Sequence, residues 1–165
     1  MNLSSWKLEW LSRVPRLLRL DMNSTSFRVL MSRGLQVSSL SQIHTVRVLL
    51  TNDVPMQHKE SLVSLRDVTV SFGAEDRSPS AGSLAELLQT CTEVTKLHFT
   101  FAQFFTASQN LMDAIADLSG LKDLQINSFN IMELGACNLV HMSQLTSLEN
   151  MELSGLNAVG ERCAV

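Results

Sequence analysis

The sequence predicts an α/β solenoid of about six repeats, with a curved parallel sheet on its concave side and helices and loops on its convex side. Three observations lead to this fold class. Hydrophobic residues make up 45% of the 165 residues, leucine alone fills 27 positions, and the leucines follow a recurring pattern. We expect a single domain over residues 1–165, with repeats over roughly 6–158, and the same pattern would fit a piece of a longer chain.

The recurring pattern is apolar-x-x-apolar-x-x-apolar-x-apolar. Its last two apolar positions alternate, as a short strand with one buried face requires. With the second apolar position as the marker, the copies stand at residues 17, 46, 65, 94, 121 and 148, so the steps are 29, 19, 29, 27 and 27 residues. Units of this size cannot bury an apolar face alone, so neighbouring units must stack.

Two segments between the predicted strands place apolar residues at helical spacing, which predicts helices. The apolar residues are Leu84, Leu87, Leu88 and Cys91 in the first segment, and Leu111, Ala114, Ile115 and Leu118 in the second. Thr106 or Ser108 would cap the second helix. A third helix is expected over 134–142, and loops over 52–59 and 72–83. The short step of 19 leaves room only for a loop or a turn of 3₁₀ helix before the third strand.

These copies resemble the leucine-rich repeat family. The best two run from Cys91 to Phe99 (CTEVTKLHF) and from Leu118 to Ile126 (LSGLKDLQI). The first resembles the cysteine-containing repeats of F-box proteins, the substrate receptors of cullin-based ubiquitin ligases. The long, irregular repeats also resemble the divergent repeat regions of fungal F-box-like proteins. No segment near the N-terminus resembles the Leu-Pro-x-Glu opening of an F-box, so the resemblance implies the substrate-recognition repeats alone.

In such a solenoid, the residues that flank the buried strand positions line the concave face and form the candidate protein-binding surface. They are polar in five of the six strands. The candidates are Arg19, Asp21, Asp67, Thr69, Lys96, His98, Asp123, Gln125, Asn150 and Glu152. The second strand is ambiguous: the marker pattern turns Val48 and Leu50 outward, whereas a shift of one residue turns out Arg47, Leu49 and Thr51.

Composition and charge narrow the partners and the compartment. A formal net charge of −3 and a pI near 5.8 argue against nucleic-acid binding. No stretch is long and apolar enough for a membrane helix, and the N-terminus lacks the features of a secretory signal. Three widely spaced cysteines fit reduced thiols. We therefore expect a cytoplasmic or nuclear protein with a protein partner, no membrane and no nucleic acid.

The sequence offers no catalytic, cofactor-binding or metal-binding residues. The four histidines lack metal-ligand spacing with one another and with the cysteines. Cys91 shares a column of the pattern with leucines, which predicts a small core residue. Asp113 and Asp117 lie one helical turn apart, on the side opposite the apolar stripe, and are expected to be solvated.

The leading hypothesis is therefore a non-enzymatic protein-interaction module, in particular the substrate-recognition repeats of an F-box-like receptor. One alternative is a partial repeat protein without independent function, because neither end of the chain shows a polar cap. A less favoured alternative is a small α/β enzyme with a ligand site at the ends of its strands. The identity of the partner and the oligomeric state are left open.

Overall fold

Six parallel strands form one open sheet in an α/β fold. The structure is a computed structural model that describes residues 18–33, 43–50, 57, 62–72, 81–101, 109–128 and 142–154. In chain order the elements are β1 (Arg19–Asn23), α1 (Ser24–Arg33), β2 (Thr45–Leu50), β3 (Asp67–Phe72), α2 (Ala81–Thr90), β4 (Lys96–Phe101), α3 (Gln109–Ala116), β5 (Asp123–Ser128), a 3₁₀ turn (Met142–Gln144) and β6 (Asn150–Ser154).

The strands follow one another across the sheet in chain order, from β1 to β6. Their pairing sets equivalent residues side by side, and one such line is Leu20, Val46, Val68, Leu97, Leu124 and Met151. Along this line the strands are 26, 22, 29, 27 and 27 residues apart. The spacing is more even than the marker pattern predicted, because the second copy of the pattern had been placed three residues too late.

The burial pattern of β2 shows directly that the second copy of the pattern was misplaced. Val46, Val48 and Leu50 are buried, whereas Arg47 and Leu49 are exposed. The marker pattern, which turned Val48 and Leu50 outward, is therefore wrong, and the alternative shifted by one residue is correct for Arg47 and Leu49. Thr51 lies outside the described residues.

The same backbone hydrogen bonds recur at all five junctions between neighbouring strands. The carbonyl of the residue just before one strand accepts two N–H groups, over 2.8–3.1 Å, from the residue just before the next strand and from the first residue of that strand. These carbonyls belong to Leu18, His44, Arg66, Thr95 and Lys122. A second bond recurs ahead of four strands, where the N–H of the second apolar residue of the pattern donates to the carbonyl of the first. The apolar-x-x-apolar spacing therefore corresponds to a tight turn.

One face of the sheet carries the hydrophobic core, and we call it the covered face. Its strand residues join the apolar side chains of α1, α2 and α3 in one cluster. The two helices predicted from apolar stripes are confirmed as α2 and α3, and every residue of both stripes is buried. Cys91 is fully buried, as its column predicted.

Some predictions of loops and helix ends are corrected, and others cannot be compared. The predicted loop 72–83 is too long, because Phe72 ends β3 and α2 begins at Ala81. Thr106 and Ser108 lie outside the described residues, as do 134–141 and all of 52–59 except Gln57. The connection between β2 and β3, which was expected to be a loop or a turn of 3₁₀ helix, also lies largely outside the described residues.

Helix α1 was not predicted, and it begins directly at the end of β1. The side chain of Asn23 caps it, because its Oδ1 accepts the Ser26 N–H at 2.9 Å. Phe27, Leu30 and Met31 then bury one stripe of the helix against the core.

We expect the Asn23→Ala variant to lose about 1 kcal/mol of stability, because an N–H in the first turn loses its acceptor. Asn23→Asp keeps an acceptor oxygen and should retain most of that stability. Urea unfolding followed by circular dichroism measures both. Equal losses in the two variants would show that the cap contributes nothing.

Candidate functional site

None of the helices in the described ranges covers the sheet face opposite the core, and we call this face the open face. Each strand contributes three residues to it. They are Arg19, Asp21 and Asn23 (β1), Thr45, Arg47 and Leu49 (β2), Asp67, Thr69 and Ser71 (β3), Lys96, His98 and Thr100 (β4), Asp123, Gln125 and Asn127 (β5), and Asn150, Glu152 and Ser154 (β6). All are exposed or half-buried, and only Leu49 is strongly apolar.

All ten residues of the predicted binding surface lie on the open face, in two of the three rows that cross the strands. Five are exposed, namely Arg19, Asp21, Lys96, Asn150 and Glu152, and five are half-buried, namely Asp67, Thr69, His98, Asp123 and Gln125. The structure thus brings them onto one continuous surface. That they bind a protein stays a prediction.

A shallow depression of about 110 Å³ opens to solvent on the open face, near the amino ends of β3, β4 and β5. Its walls come from three neighbouring strands: Asp67 from β3, Lys96, Leu97 and His98 from β4, and Asp123 and Gln125 from β5. Five of these six residues belong to the predicted surface. The side chain of Leu97 is buried on the other side of the sheet, so it contributes mainly backbone.

Opposite charges line the depression. Lys96 is paired in register with Asp67 on one side and with Asp123 on the other. Among the described residues, however, neither aspartate lies within ion-pair distance of Lys96. The Oδ1 atom of Asp123 is buried and has no hydrogen-bond partner. This acceptor therefore lacks a donor, although the atom itself is not exposed in the depression.

A chain of side-chain hydrogen bonds runs beside the depression from β6 to β4. Ser154 donates to Oδ1 of Asn127 at 2.6 Å, and Nδ2 of Asn127 lies 2.9 Å from Nε2 of His98. The hydroxyl of Thr100 lies 3.2 Å from the same nitrogen. Because an amide NH₂ group can only donate, Nε2 of His98 acts as an acceptor here. This chain fixes the histidine ring at the wall of the depression.

Ion pairs neutralise other charges on and beside the open face. Lys122 and Glu149 meet at 2.8 Å, and the hydrogen bond lowers the pKa of Glu149 and raises that of Lys122. Arg19 and Asp21 meet at 2.9 Å within β1, and this bond likewise lowers the pKa of Asp21. Arg66 and Glu93 lie 3.6 Å apart. These cations are therefore less available to a binding partner.

Cys91 has no part in the open face. It lies in the core, where its thiol donates to the Leu62 carbonyl at 3.1 Å. Burial raises the pKa of this thiol to about 12. It therefore stays protonated near neutral pH, whereas a nucleophile or a metal ligand must be a thiolate.

Histidines, cysteines and carboxylates are the side chains that most often bind metal ions. The described part of the chain contains no cluster of three or more of these residues in a suitable arrangement. Asp113 on α3 and Asp117 just after it are both exposed, as expected.

Comparison with known proteins identifies no family. No protein-family model matches the chain, and no curated protein matches it significantly. Within the described ranges, no helix is long and apolar enough to cross a membrane.

Sequence reasoning did not predict the Lys122–Glu149 pair, the exposed Leu49 or the depression. A signal for the pair exists in the sequence: Lys122 and Glu149 are 27 residues apart and occupy equivalent positions just before β5 and β6. Aligning the copies of the pattern in columns would have set these opposite charges side by side. The depression depends on side-chain conformations, which a residue pattern does not contain.

Proposed function

We propose that the chain is a leucine-rich-repeat-like solenoid that binds a protein partner through the open face. The observation that carries this proposal is a purely parallel sheet with one polar face that no described helix covers. Parallel sheets in most α/β proteins are covered by helices on both faces. A face left open across six successive strands is typical of repeat proteins, which use it as an extended binding surface.

The regular backbone pattern supports the architecture in this proposal. The same hydrogen bonds join each strand to the next, over steps of 22–29 residues along the chain. Leucine-rich repeats have lengths of roughly 20–29 residues. Cys91 occupies a core column and bonds to the preceding unit, which supports the resemblance to cysteine-containing repeats. The narrower role, as the substrate-recognition repeats of an F-box-like receptor, rests on that resemblance.

The strand order argues against the alternative of a small α/β enzyme of the doubly wound kind. Such enzymes bind ligands where the strand order reverses, at the carboxyl ends of the strands. The described strands run from β1 to β6 without a reversal. Nor does the depression lie at the carboxyl ends, since Asp67, Lys96 and Asp123 are the first residues of their strands.

Charge reversal on the open face tests the proposal. Random twelve-residue peptides displayed on phage are selected for binding to the immobilised chain. The peptide that binds most tightly is then synthesised. We expect the triple variant Lys96→Glu, Asp123→Lys, Glu152→Lys to weaken its binding by more than about tenfold, because the altered charges lie at the contact. Circular dichroism checks that the variant is folded.

Glu86→Lys is the matched control, since it shifts the net charge by the same amount on the exposed side of α2. It should leave binding unchanged. Unchanged binding in the triple variant, or a selection that yields no peptide above background, would refute the open face as a protein-binding surface.

A further inference from the structure

Four polar side chains of the open face form one connected chain of hydrogen bonds across three strands. Thr100, Asn127 and Ser154 are register partners on β4, β5 and β6, and His98 lies two residues before Thr100 on β4. The links between them measure 2.6–3.2 Å. All but Ser154 are half-buried, so these bonds are partly shielded from competing water.

The atoms in this chain set the direction of its bonds. Oδ1 of Asn127 can only accept, so the hydroxyl of Ser154 donates to it. Nδ2 of the same amide can only donate, so Nε2 of His98 carries no proton and the ring holds its proton on Nδ1. The arrangement therefore belongs to the neutral form of the imidazole.

A proton on Nε2 of His98 is incompatible with this arrangement. It would set two N–H donors against each other at 2.9 Å, without an acceptor between them. Rotating the Asn127 amide by half a turn removes the conflict, because Oδ1 then accepts from His98 and Nδ2 donates to Ser154. The hydroxyls of Ser154 and Thr100 can accept as well as donate, so the chain keeps its bonds.

We propose that this chain is a pH-sensitive switch built into the open face. Uptake of one proton from solvent by His98 reverses the bonds as far as Ser154, whose O–H then turns outward. The change crosses two strand spacings, about 10 Å. Imidazole is the side chain that ordinarily takes up a proton between about pH 5 and 8. Mild acid therefore adds a positive charge at β4 and exposes a hydrogen-bond donor at β6.

Three charged side chains lie around the ring, on its own strand and on the two strands that flank it. They are Lys96 on β4, Asp67 on β3 and Asp123 on β5, all in the wall of the depression. These charges affect how readily the ring takes up a proton, but they do not connect it to β6. That connection runs through the amide of Asn127, so the switch is tested there.

NMR spectroscopy of the ¹⁵N-labelled chain, from about pH 8 to about pH 5, tests the switch. At the upper pH we expect the ring proton of His98 on Nδ1 and a coupling through the hydrogen bond between Nε2 and Nδ2 of Asn127. As the ring takes up a proton, this coupling should disappear. The side-chain amide of Asn127 and the backbone amide of Ser154 should shift with the same midpoint as the ring.

Two variants and an internal control isolate the connection. In Asn127→Ala the ring should still titrate but Ser154 should no longer respond, and in His98→Gln neither Asn127 nor Ser154 should respond. Circular dichroism checks that both variants are folded. His44 is the control, because its Nδ1 lies 3.1 Å from the Ser64 carbonyl, which accepts from the ring in both protonation states. Its titration should shift neither Asn127 nor Ser154.

Several results would overturn the switch. They are a ring proton on Nε2 at the upper pH, a coupling that persists after protonation, an Asn127 amide that does not shift with the ring, and a ring that takes up no proton. A response of Ser154 that survives in Asn127→Ala would overturn it too. The free chain is measured throughout, so this test stands apart from the peptide binding that decides the proposed function.

Discussion

Replacing Phe99 by alanine is expected to lower the free energy of unfolding by about 3–5 kcal/mol, the range for large buried aromatic residues. Phe99 lies on the covered face of β4, near the middle of the sheet, and is only 1% exposed. Its ring lies 6.1 Å from that of Phe101, centroid to centroid. The substitution removes this contact and leaves a cavity between strands and helices that can close only in part.

Lys96→Ala is the control on the same strand, because Lys96 is exposed on the open face. We expect it to change stability by no more than about 0.5 kcal/mol. Urea unfolding followed by circular dichroism compares the two variants. Similar losses at Phe99 and Lys96 would contradict the division of the sheet into a covered and an open face.

The second large effect is expected at Leu124. Leu124 and Met151 are neighbours in one line across the sheet, yet Leu124 is fully buried and Met151 is 42% exposed. Leu124→Ala should cost about 2–5 kcal/mol, as buried leucines do, whereas Met151→Ala should cost less than about 1 kcal/mol. The difference arises because β5 has a strand on both sides and β6 lies at the edge of the sheet.

The stability costs at Leu124 and Met151 also test the hypothesis of a partial repeat protein. End repeats without a polar cap leave apolar surface in water, which lowers the stability of the whole array. A cost at Met151 equal to that at Leu124 would show that the β6 end is covered in solution, and would contradict its exposure here. The measurement is urea unfolding at two protein concentrations, because coverage by a second copy would make stability depend on concentration.

The strands could be predicted where apolar and polar residues alternate strictly. In β3, β4 and β5 this alternation gave the correct buried face and the correct open-face residues. In β2 it did not, because Val48, Leu49 and Leu50 form an unbroken apolar run that offers no unique face. The cost of burying a charge decides which face of β2 is buried. Arg47 must point outward, and Leu49 then points outward too, because it lies two residues further along the same strand.

Helix α1 was missed for a related reason. Phe27, Leu30 and Met31 have helical spacing, but they follow a run of serine and threonine that reads as a turn after the strand. The cap by Asn23 turns that run into the first turn of a helix. On the open face, the sequence could place the candidate residues. It could not predict that Asp123 would lack a donor, since this depends on the positions of side chains from neighbouring strands.

The central claim, that a partner docks on the open face, is tested most directly by photo-crosslinking. A benzophenone side chain is placed at Gln125, in the wall of the depression, or at Glu86, on the exposed side of α2. Each labelled protein is irradiated with the selected peptide, and the products are identified by mass spectrometry. We predict a crosslinked peptide from Gln125 and none from Glu86. Crosslinking from Glu86 without crosslinking from Gln125 would place the partner on the helical side and contradict the account.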